Sequence, residues 1–118
     1  MKKFLFVVLV SLLLTACGGS KPAGVVEECW KRLSKGDVKG AVELMDAAAD
    51  EVEIYRAMFA EQCGELCAAG GVDDFEVLGL SEGENDATVE ATVTLKDGQQ
   101  ITATYRLIKR GKEWLIAE

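Results

Sequence analysis

Four kinds of side chain in this sequence could do chemistry: cysteine, tyrosine, tryptophan and the carboxylates. Histidine, the commonest general base and metal ligand, is absent. The cysteines are Cys17, Cys29, Cys63 and Cys67. Cys17 stands in an apolar N-terminal segment, and the other three lie in the body of the chain. Cys63 and Cys67 are four apart, so on a helix they project from adjacent positions on one side. Cys29 falls on the apolar face of an earlier helix expected to pack beside them. Two readings stay open: a bridge from Cys29 to Cys63 or Cys67, stapling two helices, or three small buried hydrophobes. Zinc would need a fourth ligand, a carboxylate such as Glu61 or Glu65, and the expectation is no metal. Cys63 and Cys67 are also one residue too far apart for a Cys-x-x-Cys redox pair. The cysteines read as structural.

Acid–base chemistry needs a carboxylate inside an apolar pocket, with a tyrosine or a protonated acid to hold an oxyanion. Tyr55 and Tyr105 occupy core-facing positions. No aspartate or glutamate interrupts the apolar stripe of any expected strand, and Glu90 faces the polar side. The expectation is therefore no catalytic residue and no enzyme. Gly70-Gly71 follows a helix rather than preceding one, so no phosphate cradle is present and no cofactor is expected. The acidic groups Asp73-Asp74 and Glu82 to Asp86 lie near turns and miss the EF-hand spacing, which makes them solvated loops.

These residues sit in a chain of 118, with 13 basic side chains against 20 acidic and a net charge of −7. That length holds one small domain. The acidic balance excludes a nucleic-acid partner, which would require clustered Lys and Arg; Lys109, Arg110 and Lys112 make only a small basic tip. Met1-Lys2-Lys3 is a positive head, Phe4 to Leu14 is almost wholly apolar, and Thr15-Ala16 brings small residues. This is an export signal over 1–16, too short to span a bilayer. Leu14-Thr15-Ala16-Cys17 resembles the bacterial lipobox. The resemblance implies cleavage before Cys17, acylation of its sulfur and attachment to a membrane through the acyl chains, two or more of which hold a protein stably. Loss of Lys2 and Lys3 leaves the mature chain two charges more acidic than −7, so the domain should stand off from anionic lipid. Residues 17–24 read as the lipidated cysteine and a flexible tether with a reach of about 15 Å. Gly18 replaces the aspartate that retains some lipoproteins at the inner membrane, which favours the outer membrane of a bacterial envelope.

The domain proper is expected over 25–118. Val26, Cys29, Trp30 and Leu33 share one helical face, and Ser34-Lys35-Gly36 ends that helix. Asp37 is a natural N-cap for a second, carrying Val38, Ala41, Val42 and Met45. A third, near Glu51 to Ala69, aligns Tyr55, Met58, Phe59, Cys63 and Leu66, and Gly70-Gly71 closes it. Ala47 to Asp50 either extends the second helix or forms a corner. The period then changes from 3.6 to 2: Phe75 to Leu80, Ala87 to Leu95, Ile101 to Leu107 and Trp114 to Ala117 read as strands. Asp97-Gly98 and Arg110-Gly111-Lys112 are turns. The fold class is α+β, three helices covering the apolar face of a four-stranded antiparallel meander. The other face is rich in threonine (Thr88, Thr92, Thr94, Thr102, Thr104), which suits either solvent or a homodimer contact.

Helix, Ser34-Lys35-Gly36-Asp37, helix, and a sheet ending in Gly111-Lys112-Glu113-Trp114 together resemble the nuclear transport factor 2-like superfamily, the ketosteroid-isomerase-like or cystatin-like cone. More narrowly, the chain is similar to a bacterial lipoprotein family of unknown function once labelled lumazine-binding. The resemblance implies a curved sheet around a long helix with a pocket between them. Trp30, Tyr55, Phe59, Tyr105 and Trp114 are the candidate lining, unless such aromatics fill the pocket outright. It implies no reaction, because the superfamily hosts enzymes, binding modules and dimerisation domains alike. The expected function is that of a lipid-anchored, non-enzymatic domain binding a small ligand or an envelope protein. The alternative is a cone-fold enzyme with a pocket tyrosine and a carboxylate delivered by a loop.

Overall fold

The computed structural model describes residues 21–117. The expected export signal, the lipidated Cys17 and the first part of the tether lie outside the described residues. Helix α1 spans Pro22–Ser34, α2 Val38–Val42 and α3 Val52–Ala68. Four strands follow, β1 Val72–Glu82, β2 Asp86–Leu95, β3 Gln100–Arg110 and β4 Glu113–Ile116. They form one antiparallel sheet in the order β1-β2-β3-β4. The α+β architecture expected from the change of period is the one observed.

The boundaries move for identifiable reasons. Helix α1 starts at Pro22, inside the expected tether, because proline at the first helical position has its φ already set and no N–H to leave unpaired. Helix α2 is only five residues long. Asp37 caps it by accepting the Gly40 N–H at 2.9 Å. Past Val42 the chain leaves the helix so that Met45 can bridge Ile116 of β4 in parallel, with Ile116 N–H donating to Leu44 O and Asp46 N–H to Ile116 O. Ala47 to Asp50 is thus the corner. Strand β1 is longer than its apolar run, and its register with β2 slips between Val77 and Gly79, where Leu78 is the extra residue of a bulge.

The core forms between α1 and the inner face of the sheet. Val26 meets Ala87, Val89, Ala91, Val93, Leu95 and Leu107 in one cluster, with Leu33, Phe59, Leu66, Trp114 and Ile116 around them. Burying each larger aliphatic side chain contributes about 1.5–3 kcal/mol. Among the described residues this core draws only on Val25 to Ile116, so a chain beginning at Gly18 keeps all of it. On the outer face the expected threonine ladder is present, with the Thr92 and Thr102 hydroxyls 2.8 Å apart across β2 and β3. The Ser34 hydroxyl accepts the Val72 N–H at 3.1 Å, fixing the end of α1 to the start of β1. Gly70 and Gly71, at φ of 91° and 96°, turn the chain from α3 into the sheet through conformations that side chains other than glycine rarely adopt.

Candidate functional site: an apolar cavity under the long helix

Helix α3 packs on the other helices but stands off from β3, and the space between is a cavity of about 1000 Å³. That is at the upper end of what small-molecule sites offer. The spacing of residues on α3 explains the gap. Tyr55, Phe59, Cys63 and Leu66 follow one helical stripe into the core. Ile54, Met58, Gln62 and Glu65 follow a second stripe, rotated around the same helix, and face the cavity. Ile54 is 60% exposed and Met58 48%. The opposite wall is β3, whose alternation aims Ile101, Ala103 and Tyr105 inward beside Leu95 of β2. Ile101 is 37% exposed for the same reason. Val26, Cys29, Trp30 and Leu33 of α1 form the roof, and Met45 and Ile116 close one end.

The polar groups are few. The Trp30 indole N–H donates to the Tyr105 hydroxyl at 3.1 Å. Burial pushes the Tyr105 phenol above its ordinary value, and the bond from Trp30 offsets part of that rise. Glu51, Gln62, Glu65 and Gln99 supply the remaining polar lining. Both glutamates are exposed, and Glu51 already accepts the Ala48 N–H at 2.9 Å. No lysine or arginine lines the cavity among the described residues.

Four of the five aromatics expected around a pocket are in its wall: Trp30, Tyr55, Phe59 and Tyr105. The rings of Tyr55 and Phe59 lie 6.2 Å apart at a tilt of 42°. Trp114 is not among them. It is 3% exposed in the core, with the Lys109 ammonium 5.5 Å from its ring centre. It lies two residues nearer the β3–β4 turn than Ile116, the residue of β4 that does reach the cavity. The aromatics also leave the space unfilled. Ile54 and Ile101 complete the mouth, although neither belongs to the expected lining. The signal was Ile54 itself, a large apolar residue off the main stripe of its helix.

Among the described residues the three cysteines, Cys29, Cys63 and Cys67, are free thiols and no bridge joins them. Cys29 is buried, and desolvation pushes its thiol up to about 12. Cys63 is partly buried and its thiol is likewise raised, first by desolvation. Cys67 is exposed. A step of four residues turns the helix about 40° past a full circle, enough to carry Cys67 away from the packed side that holds Cys63. Among the described residues no group of three Cys, Asp or Glu side chains is arranged to hold a metal, and no helix is long and apolar enough to cross a membrane.

An antiparallel sheet beside a long helix with a cavity between them is the arrangement of the NTF2-like fold. The same fold occurs in a Campylobacter jejuni protein provisionally named an NTF2-like transpeptidase. The likeness has a TM-score of 0.73 at 20% identity, covering 84% of this chain and 99% of that one. A SEC-C motif-containing protein of Rhodopseudomonas palustris is similar at a TM-score of 0.62 and 17% identity, covering 84% of this chain and 79% of the other. At these identities the likeness is one of fold. No curated protein matches the chain. The chain belongs to the family defined by the domain of unknown function DUF4878, which matches residues 15–117.

Proposed function

We propose that this protein is a lipid-anchored envelope domain that binds a small, mainly apolar molecule in the cavity between α3 and β3, without transforming it. The observation that carries this reading is the exposure of Ile54, Met58 and Ile101 around the mouth of an apolar cavity of about 1000 Å³. Three large aliphatic side chains held against water cost free energy that a bound apolar molecule would recover, at roughly 25 cal/mol per Å² covered. Anchoring rests on the sequence, on the lipobox-like Leu14 to Cys17 behind a basic and apolar leader. With it goes a place in the bacterial envelope, the outer membrane being favoured by Gly18.

The non-catalytic part of the reading rests on the placement of the carboxylates. An enzyme of the ketosteroid-isomerase type would hold one inside the apolar space, whereas Glu51 at the N-cap of α3 and Glu65 within it are exposed. A transpeptidase needs an activated nucleophile, and the Cys29 thiol lining this cavity is buried and held protonated.

The test is a titration of Gly18–Glu118 with N-phenyl-1-naphthylamine, whose emission rises in apolar surroundings. The expected result is saturable, single-site binding that Ala103→Trp removes by filling the cavity, with the circular dichroism spectrum unchanged. Absence of binding to the unaltered domain, or equal binding to the Ala103→Trp variant, overturns the reading.

A further inference from the structure

The Tyr105 hydroxyl has a direction. It accepts the Trp30 indole N–H at 3.1 Å, so one lone pair is engaged while its own proton has no acceptor among the described residues. The oxygen belongs to a residue that lines the cavity wall. A hydroxyl arranged in this way is a hydrogen-bond donor, oriented by a rigid neighbour. Burial works in the same direction, since it keeps the phenol protonated.

The charges near the cavity limit what such a donor can meet. The charged lining residues are Glu51 and Glu65, both negative. No lysine or arginine faces the space among the described residues, and the chain as a whole carries −7. A carboxylate or phosphate ligand would enter an apolar site against two like charges and without a counter-ion, which is costly. A neutral acceptor oxygen meets neither obstacle.

We infer that the cavity selects an uncharged, mainly apolar molecule bearing one acceptor oxygen, a carbonyl or ester, and that Tyr105 donates its hydroxyl proton to that oxygen. This rests on the apolar-ligand reading above and gives it a ligand class. Met58, Ile101 and Ala103 take the hydrocarbon part, while Trp30 holds the tyrosine in place. The amides of Gln62 and Gln99 tolerate a second polar group at the mouth without requiring one.

The experiment displaces N-phenyl-1-naphthylamine from Gly18–Glu118 with four compounds of one chain length, each below its solubility limit or micelle concentration: dodecane, methyl laurate, lauric acid and dodecylamine. Methyl laurate is expected to compete best. Tyr105→Phe should weaken it about 3- to 10-fold, the equivalent of one hydrogen bond, and leave dodecane and naphthylamine unchanged. Trp30→Phe, which keeps the tyrosine hydroxyl but removes the indole N–H that orients it, should weaken the ester less than Tyr105→Phe does, and the unchanged naphthylamine binding of Tyr105→Phe guards against a folding defect in that variant. Lauric acid or dodecylamine competing as well as the ester overturns the inference, as does an ester affinity indifferent to Tyr105→Phe. Failure of naphthylamine to bind at all would instead remove the apolar-ligand reading itself.

Discussion

The indole nitrogen of Trp30 lies 3.1 Å from the hydroxyl of Tyr105, a residue 75 positions further along the chain. The bond joins the first helix to the third strand across the roof of the cavity, and both side chains are only partly buried. It fixes the distance between α1 and β3 at the point where α3 no longer reaches the sheet. Each partner removed alone leaves a polar group partly desolvated and unpaired. A double-mutant cycle over Trp30→Phe and Tyr105→Phe should therefore give a coupling of about 1 kcal/mol in urea unfolding. Additive single effects would show that the bond contributes nothing to holding the roof.

The cap at the second helix is a separate device. Asp37 accepts the Gly40 N–H, and a Cβ on Gly40 would collide with the Asp37 carboxylate. Asp37→Ala should cost about 1 kcal/mol and Asp37→Asn much less. Gly40→Ala should be destabilising even though alanine is the better helix former. Thermal unfolding of the three variants ranks them, and a stabilised Gly40→Ala would show that the cap geometry is wrong.

Core and cavity should answer differently to the same deletion. Leu107 is fully buried, and truncating it to alanine should cost about 2–5 kcal/mol. Met58 is half-exposed at the mouth, and Met58→Ala should cost less than about 1 kcal/mol while weakening naphthylamine binding. A large stability loss at Met58 would mean that α3 closes onto the sheet in solution.

Cys29 gives the fold an alkaline weakness. Its thiol is raised from 9.0 to about 12, so the native state keeps a proton that the unfolded chain releases. The stability linked to this group is complete below pH 9 and declines as the pH rises towards 12, by about 1 kcal/mol per unit. Urea midpoints measured between pH 8 and pH 11 should fall, with a shallower fall in Cys29→Ala. Identical slopes would show that Cys29 is not a free, buried thiol in solution. A bridge from Cys29 to Cys63 would give that result.

Much of the architecture is legible in the sequence because it depends on local periods. The change from a 3.6 to a 2 repeat after Gly71 marks the passage from helices to sheet, and Asp97-Gly98 marks a hairpin. The misread features depend on distances between elements. Pro22 reads as tether because the apolar period begins only at Val25, yet a proline can start a helix without an apolar face. Met45 fits the period of α2, but pairing with Ile116 at the far end of the chain takes it out of the helix. Met58 falls on the apolar stripe of α3 and has the composition of a core residue. Its exposure follows from the standoff between α3 and β3, which no local pattern records. Trp114 is the reverse case. Alternation places it on the inner face, but only its position along β4 shows that it lies in the core rather than in the cavity wall.

Whether the cavity carries a small apolar molecule in the cell is decided by native mass spectrometry. The protein would be purified from its own host without reducing agent. Its native mass would then be compared with the mass of the same chain denatured. A carried ligand should appear as a reproducible added mass that leaves on denaturation and extracts into organic solvent as a neutral compound. A native mass equal to that of the denatured chain alone, or to an exact multiple of it, would contradict a carried ligand.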